Sequence, residues 1–249
     1  MLASVHLADV GLRTAVPVLR ATPRPESTPG LRYATTVAAA PLGGSLLAPP
    51  QPGRVGLIAL WDDDAALDEF LAAHPLASIL SGGWHVRLAP VQAHEYHRNR
   101  GSEQPGSWPG LSGDLDDPAP PAGPKVVLTL ARTQPSQFLR FARASIHAAQ
   151  PLGKSPGLIW ASALVRPPIV ATFSLWQSPA SIEAYAYAGN DDSGHRRAMA
   201  ADRKQRFHQA GVFFRFQPTR STGSLDRRNA LPGDWMTDNT VQPPTAPPR

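Results

Sequence analysis

The chain repeats itself, and that repetition restricts its folds more than any other feature does. Three segment pairs align in the same order. Thr28-Pro29-Gly30-Leu31-Arg32-Tyr33-Ala34 matches Ser155-Pro156-Gly157-Leu158-Ile159-Trp160-Ala161, and Pro41 and Pro168 close the two runs. Leu60-Trp61-Asp62-Asp63-Asp64-Ala65, continuing to Leu67 and Phe70, matches Leu175-Trp176-Gln177-Ser178-Pro179-Ala180, continuing to Ile182 and Tyr185, without a gap. Gly83-Trp84-His85-Val86-Arg87-Leu88-Ala89-Pro90 matches Gly211-Val212-Phe213-Phe214-Arg215-Phe216-Gln217-Pro218. Colinear matches of this kind imply one structural unit present twice.

Each unit reads β-α-β-β-α-β. In the first, Ser4 to Val10 alternates as a strand and Leu12 to Arg20 follows as a short helix. In the second, Lys125 to Ala131 is the strand. Gln134 to Ala149 is the helix, with Thr133 as N-cap, Pro135 in its first turn, and Phe138, Phe141, Ala142 and Ser145 on one face. Arg54 to Leu60 and Ile169 to Trp176 are the next strands, and prolines 41, 49, 50, 52, 167 and 168 belong to connections because proline cannot serve a ladder interior. A helix follows each Leu-Trp pair: Asp62 to Asp64 cap the first, while Ser178 caps the second and Pro179 opens it. The closing strands carry outward arginines, Arg87 and Arg215.

A unit of this kind makes a four-stranded antiparallel sheet with two helices on one face, and its other face is apolar and unsatisfied until a second such face covers it. The expected fold is therefore α+β, with two ferredoxin-like repeats packed into one unit. The expected boundaries are a first repeat over 1–92, a flexible linker over 93–124, a second repeat over 125–218 and a mostly disordered tail over 219–249. The linker and tail are rich in Gly, Pro, Ser and Asp. An apolar cavity is expected between helices and sheet or within the barrel.

Composition narrows the chemistry. There is no cysteine among the 249 residues, so disulfides, thiolate nucleophiles, iron-sulfur clusters and thiolate-ligated haem are excluded. The net charge is +5, but the arginines are scattered singly and only Arg196, Arg197, Arg203, Lys204 and Arg206 cluster. That pattern does not make a nucleic-acid-binding stripe, and no nucleic-acid partner is expected. Apolar runs fall short of the roughly 20 residues that span a bilayer, and no charged-then-apolar leader opens the chain. The expected location is the cytoplasm.

Several residue groups invite functional readings that the surrounding sequence does not support. His94 and His97 flank Glu95 at a spacing that suits one metal on a helix, yet they lie in the polar linker and read as solvated loop. Asp62 to Asp64 read as a helix cap. Gly43-Gly44 and Gly82-Gly83 lack the downstream pattern of a phosphate loop. His147 reads as a helix C-terminal residue favoured by the helix dipole. Trp176, Tyr185, Tyr187 and Phe141 are aromatics that can wall a pocket, although Trp61 and Phe70 stand at equivalent places in the first repeat.

The segment Thr172-Phe173-Ser174-Leu175-Trp176, with Ala184-Tyr185-Ala186-Tyr187 and then His195, resembles the spheroidene monooxygenase family. The resemblance extends over Leu128-Thr129-Leu130-Ala131-Arg132-Thr133, Phe138 to Ala144, Ser155-Pro156-Gly157-Leu158 and Phe213-Phe214-Arg215-Phe216, which is most of the second repeat. It implies a dimeric α+β barrel architecture and a monooxygenase that uses haem, dioxygen and an external electron donor of ferredoxin type on a hydrophobic, carotenoid-like substrate. It also implies contact with a membrane surface to reach that substrate.

In a chain without cysteine the haem ligand would be a histidine, and His195 is the one that lands on the family's motif. Asp191, Asp192 or Glu183 would orient its second ring nitrogen. Arg196 and Arg197 would pair with the propionates. Trp176, Tyr185, Tyr187 and Phe141 would contact substrate. Two other readings stand beside this one: a cofactor-free barrel monooxygenase, and a barrel that binds a small molecule without catalysis. Substrate identity and oligomeric state stay open.

Overall fold

The computed structural model describes residues 1–41, 51, 53–97, 115–116, 123–134, 136, 152, 155–187, 208–226 and 231. The first repeat consists of β1 (Leu2–Asp9), α1 (Leu12–Arg20), β2 (Leu31–Pro41), β3 (Arg54–Trp61), α2 (Asp64–Ala73), α3 (Pro75–Leu80) and β4 (Trp84–His97). After the two-residue β5 (Leu115–Asp116), the second repeat supplies β6 (Lys125–Thr133), β7 (Leu158–Arg166), β8 (Ile169–Trp176), α4 (Pro179–Tyr187) and β9 (His208–Gly223).

Both repeats have the same strand order. The first runs β2-β3-β1-β4 and the second β7-β8-β6-β9, antiparallel throughout. Pairing of β2 with β7 and of β4 with β9 joins them into a closed ring of eight strands, with β5 attached to β4 outside the ring. The apolar faces of the two sheets meet inside this barrel, as expected from the duplication. Closure also leaves no exposed sheet edge among these eight strands.

The repeat holds down to single hydrogen bonds. Gly30 and Gly157 have φ of 65° and 79°, a left-handed conformation that glycine adopts without a Cβ penalty. Each glycine carbonyl accepts the N–H of the residue after the tryptophan, Asp62 or Gln177, at 2.8 Å. A Cβ at either position would lie 2.4 Å from Ala66 Cβ or 2.1 Å from Ser181 Oγ on the following helix. Both following strands show a register shift, at Leu31/Tyr33 and at Leu158/Trp160. The helix caps form as the sequence indicates: Asp63 accepts from Ala66 N–H at 3.0 Å, and Ser178 Oγ accepts from Ser181 N–H at 3.2 Å.

Two differences follow from strand length. The stretch containing His94 and His97, read above as solvated loop, is the end of β4 and pairs with residues 210–213 of β9. Each strand offers the other a continuous ladder, and that pairing outweighs the polar composition. Beyond residue 218 the chain likewise stays paired with β4 to Gly223, after a register shift at Arg87/Leu88, and Leu225 and Leu231 are 8% and 2% exposed within the barrel core. Thr133 is buried at the end of β6 and donates its hydroxyl proton to the Pro168 carbonyl at 2.9 Å; the helix expected after it, over 134–149, lies almost wholly outside the described residues.

Candidate functional site

The barrel interior is filled. Trp84, Trp160 and Phe173 pack mutually with ring centroids 5.7 to 5.9 Å apart, and Phe214 stacks on Phe216 at 5.2 Å. Trp84 Nε1 donates to Ser221 Oγ at 2.8 Å, so its polar atom is satisfied in place. Val5, Leu7, Ile58, Leu128, Leu130, Leu164 and Leu175 complete this core with no exposed area. The other expected location is the space between helices and sheet.

The two outer sheet faces can be compared residue by residue, because the ladders fix equivalent positions. Across the middle of the first repeat runs the row Thr36, Leu57, His6, His85, each a direct cross-strand partner of the next. The equivalent row in the second repeat is Ala163, Thr172, Thr129, Phe213.

The first row is closed over. Thr36, Leu57 and His6 are 0 to 2% exposed. His6 stacks on His85 at 5.1 Å and meets Phe70 of α2 edge-on at 6.4 Å, while Phe70 also packs on Trp61 at 5.0 Å. Ser4 Oγ accepts the Trp61 indole N–H at 2.9 Å and lies 3.1 Å from His6 Nε2. Burial, with His85 and Arg87 nearby, lowers the His6 pKa to about 3, so the ring is a neutral core group.

The second row is less deeply buried among the described residues, and the segment 137–151, the sequence counterpart of α1, lies outside them. Ala163, Thr172, Thr129 and Phe213 are all half-buried. Exchange of Leu57 for Thr172 and of His6 for Thr129 removes side-chain volume from the centre of this face. At strand spacings of about 4.8 Å the row spans about 14 Å, a shallow shelf with apolar and hydroxyl character. On the same side of the sheet Trp176 and Tyr185 are tilted together at 5.3 Å, with Leu152 and Ile182 in the same cluster. Burial pushes the Tyr185 phenol up, which keeps it protonated. Lys125 sits buried at the near end, with its ammonium on Gln217 Oε1 and on the Gly123 carbonyl at 3.3 Å.

Charge differs between the two faces as well. In the first repeat Arg87 is clamped by Asp64 at 2.8 Å and by Asp68, both on α2. The positions equivalent to those acids are Pro179 and Glu183, so Arg215, the counterpart of Arg87, has lost one acid outright. Arg215 forms no ion pair among the described residues and is half-buried two positions from Phe213 on the same face. The sequence marks it only as an outward arginine. The loss of that acid shows when the two repeats are superimposed by register.

Of the sequence-predicted residues, Trp176 and Tyr185 come together on this face. Tyr187 ends α4, and its side chain, with His195, Arg196, Arg197 and Phe141, lies outside the described residues. Residues 188–207 connect the end of α4, which packs on this face through Ile182, to the start of β9, where His208 pairs with Thr133. Among the described residues no cluster of three histidine or acidic side chains could hold a metal ion.

No family model matches the sequence. Over 192 residues the chain is 34% identical to the spheroidene monooxygenase of Rubrivivax gelatinosus, covering 76% of this chain and 70% of that protein. The chain belongs to the spheroidene monooxygenase family. It is a monooxygenase. Solved structures with a similar chain path include an aldoxime dehydratase, with 10% identity over 87% of this chain and 79% of that chain and a TM-score of 0.46. An anthrone oxidase-like protein matches over 92% and 96% of the two chains, with 13% identity and a TM-score of 0.35. The haem-degrading enzyme of Listeria monocytogenes matches over 85% and 98%, with 10% identity and a TM-score of 0.29.

Proposed function

We propose that this chain is a haem-dependent oxygenase that inserts oxygen into a long hydrophobic, carotenoid-like substrate on the outer face of its second repeat. The observation that carries the reading is the emptied row Ala163-Thr172-Thr129-Phe213, set against its filled counterpart in the first repeat. Smaller residues at the centre of the second face leave more room there for a flat apolar group than His6 and Leu57 leave on the first.

The side chains present fit haem in kind. The shelf is flat, of small residues, and walled by Trp176 and Tyr185, while Arg215 can pair with a propionate from the sheet side. Arg196 and Arg197 would take the same role from the 188–207 segment. His195 would be the iron ligand, since no cysteine exists and it is the histidine that lands on the family's motif. Haem, when bound, would supply the iron at which dioxygen is reduced and one oxygen atom transferred.

The chain's own residues would do the rest. Thr129 and Thr172 present hydroxyls on an otherwise apolar floor, the aromatic wall excludes water, and the protonated Tyr185 is a hydrogen-bond donor at the rim. An external donor, of ferredoxin type in our reading, would supply electrons, and contact with a membrane surface would give access to the polyene.

An absorption spectrum of protein expressed with haem supply tests this. A Soret band that shifts or disappears in His195→Ala is expected. A featureless spectrum, or one unchanged by that substitution, contradicts haem ligation at His195.

A further inference from the structure

We infer that the groove beside the β2–β7 seam is a binding site for a multiply charged anion, a phosphoryl or polycarboxylate group, separate from the shelf on the second repeat. The inference does not depend on the haem reading.

Thr36 Oγ1 donates to the Leu19 carbonyl at 3.0 Å at the end of α1, which commits its one proton. Thr22 Oγ1, 2.7 Å away, must then donate to Thr36 Oγ1, and it accepts the Thr36 N–H at 3.4 Å. Both hydroxyls also accept from Arg166 Nη1, Thr36 at 3.3 Å and Thr22 more closely. The two protons of Nη1 are thereby used. The Nε–Nη2 edge of Arg166, which is the edge that grips a carboxylate or phosphate with two parallel bonds, has no acceptor among the described residues. Two threonines from the first repeat thus hold an arginine of the second by one corner, leaving its other edge available.

That edge belongs to an open groove of about 780 Å³ lined also by Arg20, Thr22, Arg24, Glu26 and Ser27. Arg20 and Arg24 are exposed, and none of the three arginines forms an ion pair among the described residues. Among the described residues of the lining Glu26 is the only carboxylate, and with Arg20, Arg24 and Arg166 they carry an excess of two positive charges. Pro23 and Pro25 fix the backbone of the segment that bears Arg24. Three guanidiniums converging on one concavity suit a group with more than one negative charge better than a single carboxylate.

Calorimetric titration of the full chain at low ionic strength, with inorganic pyrophosphate and with citrate as probes, tests the inference. Saturable single-site binding of at least one probe is expected. Arg20→Gln/Arg24→Gln, at exposed positions, should weaken binding by about tenfold or more through loss of two charge-assisted contacts. Arg166→Lys, which keeps the charge and loses the fork, should also weaken it, and Glu26→Gln should strengthen it. Preference for pyrophosphate would mark a phosphoryl ligand, and preference for citrate a polycarboxylate. No saturable binding of either probe, or equal binding by wild type and the Arg20→Gln/Arg24→Gln variant, would overturn the inference.

Discussion

Arg54, at the start of β3, donates two hydrogen bonds to the Asp226 carboxylate, at 2.5 and 3.0 Å, across 172 positions of sequence. The same guanidinium holds Asp9 of β1 at 2.8 and 2.9 Å. The arginine side chain is 8% exposed while both acids are more than half exposed. One buried fork therefore ties the chain after β9 to the first repeat, next to the point where Leu225 enters the barrel core. Arg54→Ala should cost about 2 kcal/mol, because the desolvated partner goes and the exposed carboxylates are simply rehydrated. Asp226→Asn, which leaves the Asp9 pair intact, should cost about 0.5 to 1 kcal/mol. Urea denaturation midpoints check both values and their order.

The Arg54 contact also holds the Asp226 carboxyl below its usual pKa range. A carboxylate with a depressed folded-state pKa stabilises the fold above the ordinary carboxylate range, and that contribution fades as pH falls through the lowered value. Asp226→Asn should flatten the acid side of the stability profile in that window.

His6 acts at milder pH. Its folded-state pKa is about 3 against an ordinary value of 6.5, so the unfolded chain takes up the proton first as pH falls. Stability should decline below pH 6.5 by up to roughly 1.4 kcal/mol per pH unit until the folded pKa is reached. His6→Leu should remove most of that slope between pH 6 and about 4. Melting temperatures of wild type and variant across this range decide it, and parallel curves would count against a neutral buried His6.

Gly30 and Gly157 make matching demands. Alanine at either would face both a positive φ and a contact on the following helix far inside van der Waals range. Gly30→Ala and Gly157→Ala should each cost about 2 kcal/mol or more, from left-handed strain and local overpacking. Thermal unfolding should show losses of similar size at the two sites, because the two turns are copies.

Much of this fold is legible in the residues. The Pro-Gly turns, the Leu-Trp strand ends, the Asp63 and Ser178 caps and the paired arginines Arg87 and Arg215 all mark the repeat, and the closed eight-stranded barrel follows from two apolar faces that must cover each other. The ends of β4 and β9 are not legible, because their polar residues are held by mutual pairing rather than by burial pattern. The role of Leu225 and Leu231 is hidden for a related reason: two leucines in a polar tail give no periodicity. The site was half legible. Trp176 and Tyr185 stand out as aromatics, but the opening beside them depends on Thr129 and Thr172. Those are ordinary strand residues until set against His6 and Leu57 through the register.

The central claim is that the second repeat's outer face works because that row is open, whereas the first repeat's row is structural. Reciprocal substitution tests it most directly. Thr129→His/Thr172→Leu gives the second row the first row's residues, and His6→Thr/Leu57→Thr does the reverse. Each purified variant is scored for oxygenated product per folded molecule with a carotenoid substrate, alongside its melting temperature. Filling the second row should abolish turnover with the fold retained, and opening the first row should lower the melting temperature but spare turnover of the folded fraction. Undiminished turnover in Thr129→His/Thr172→Leu would contradict it.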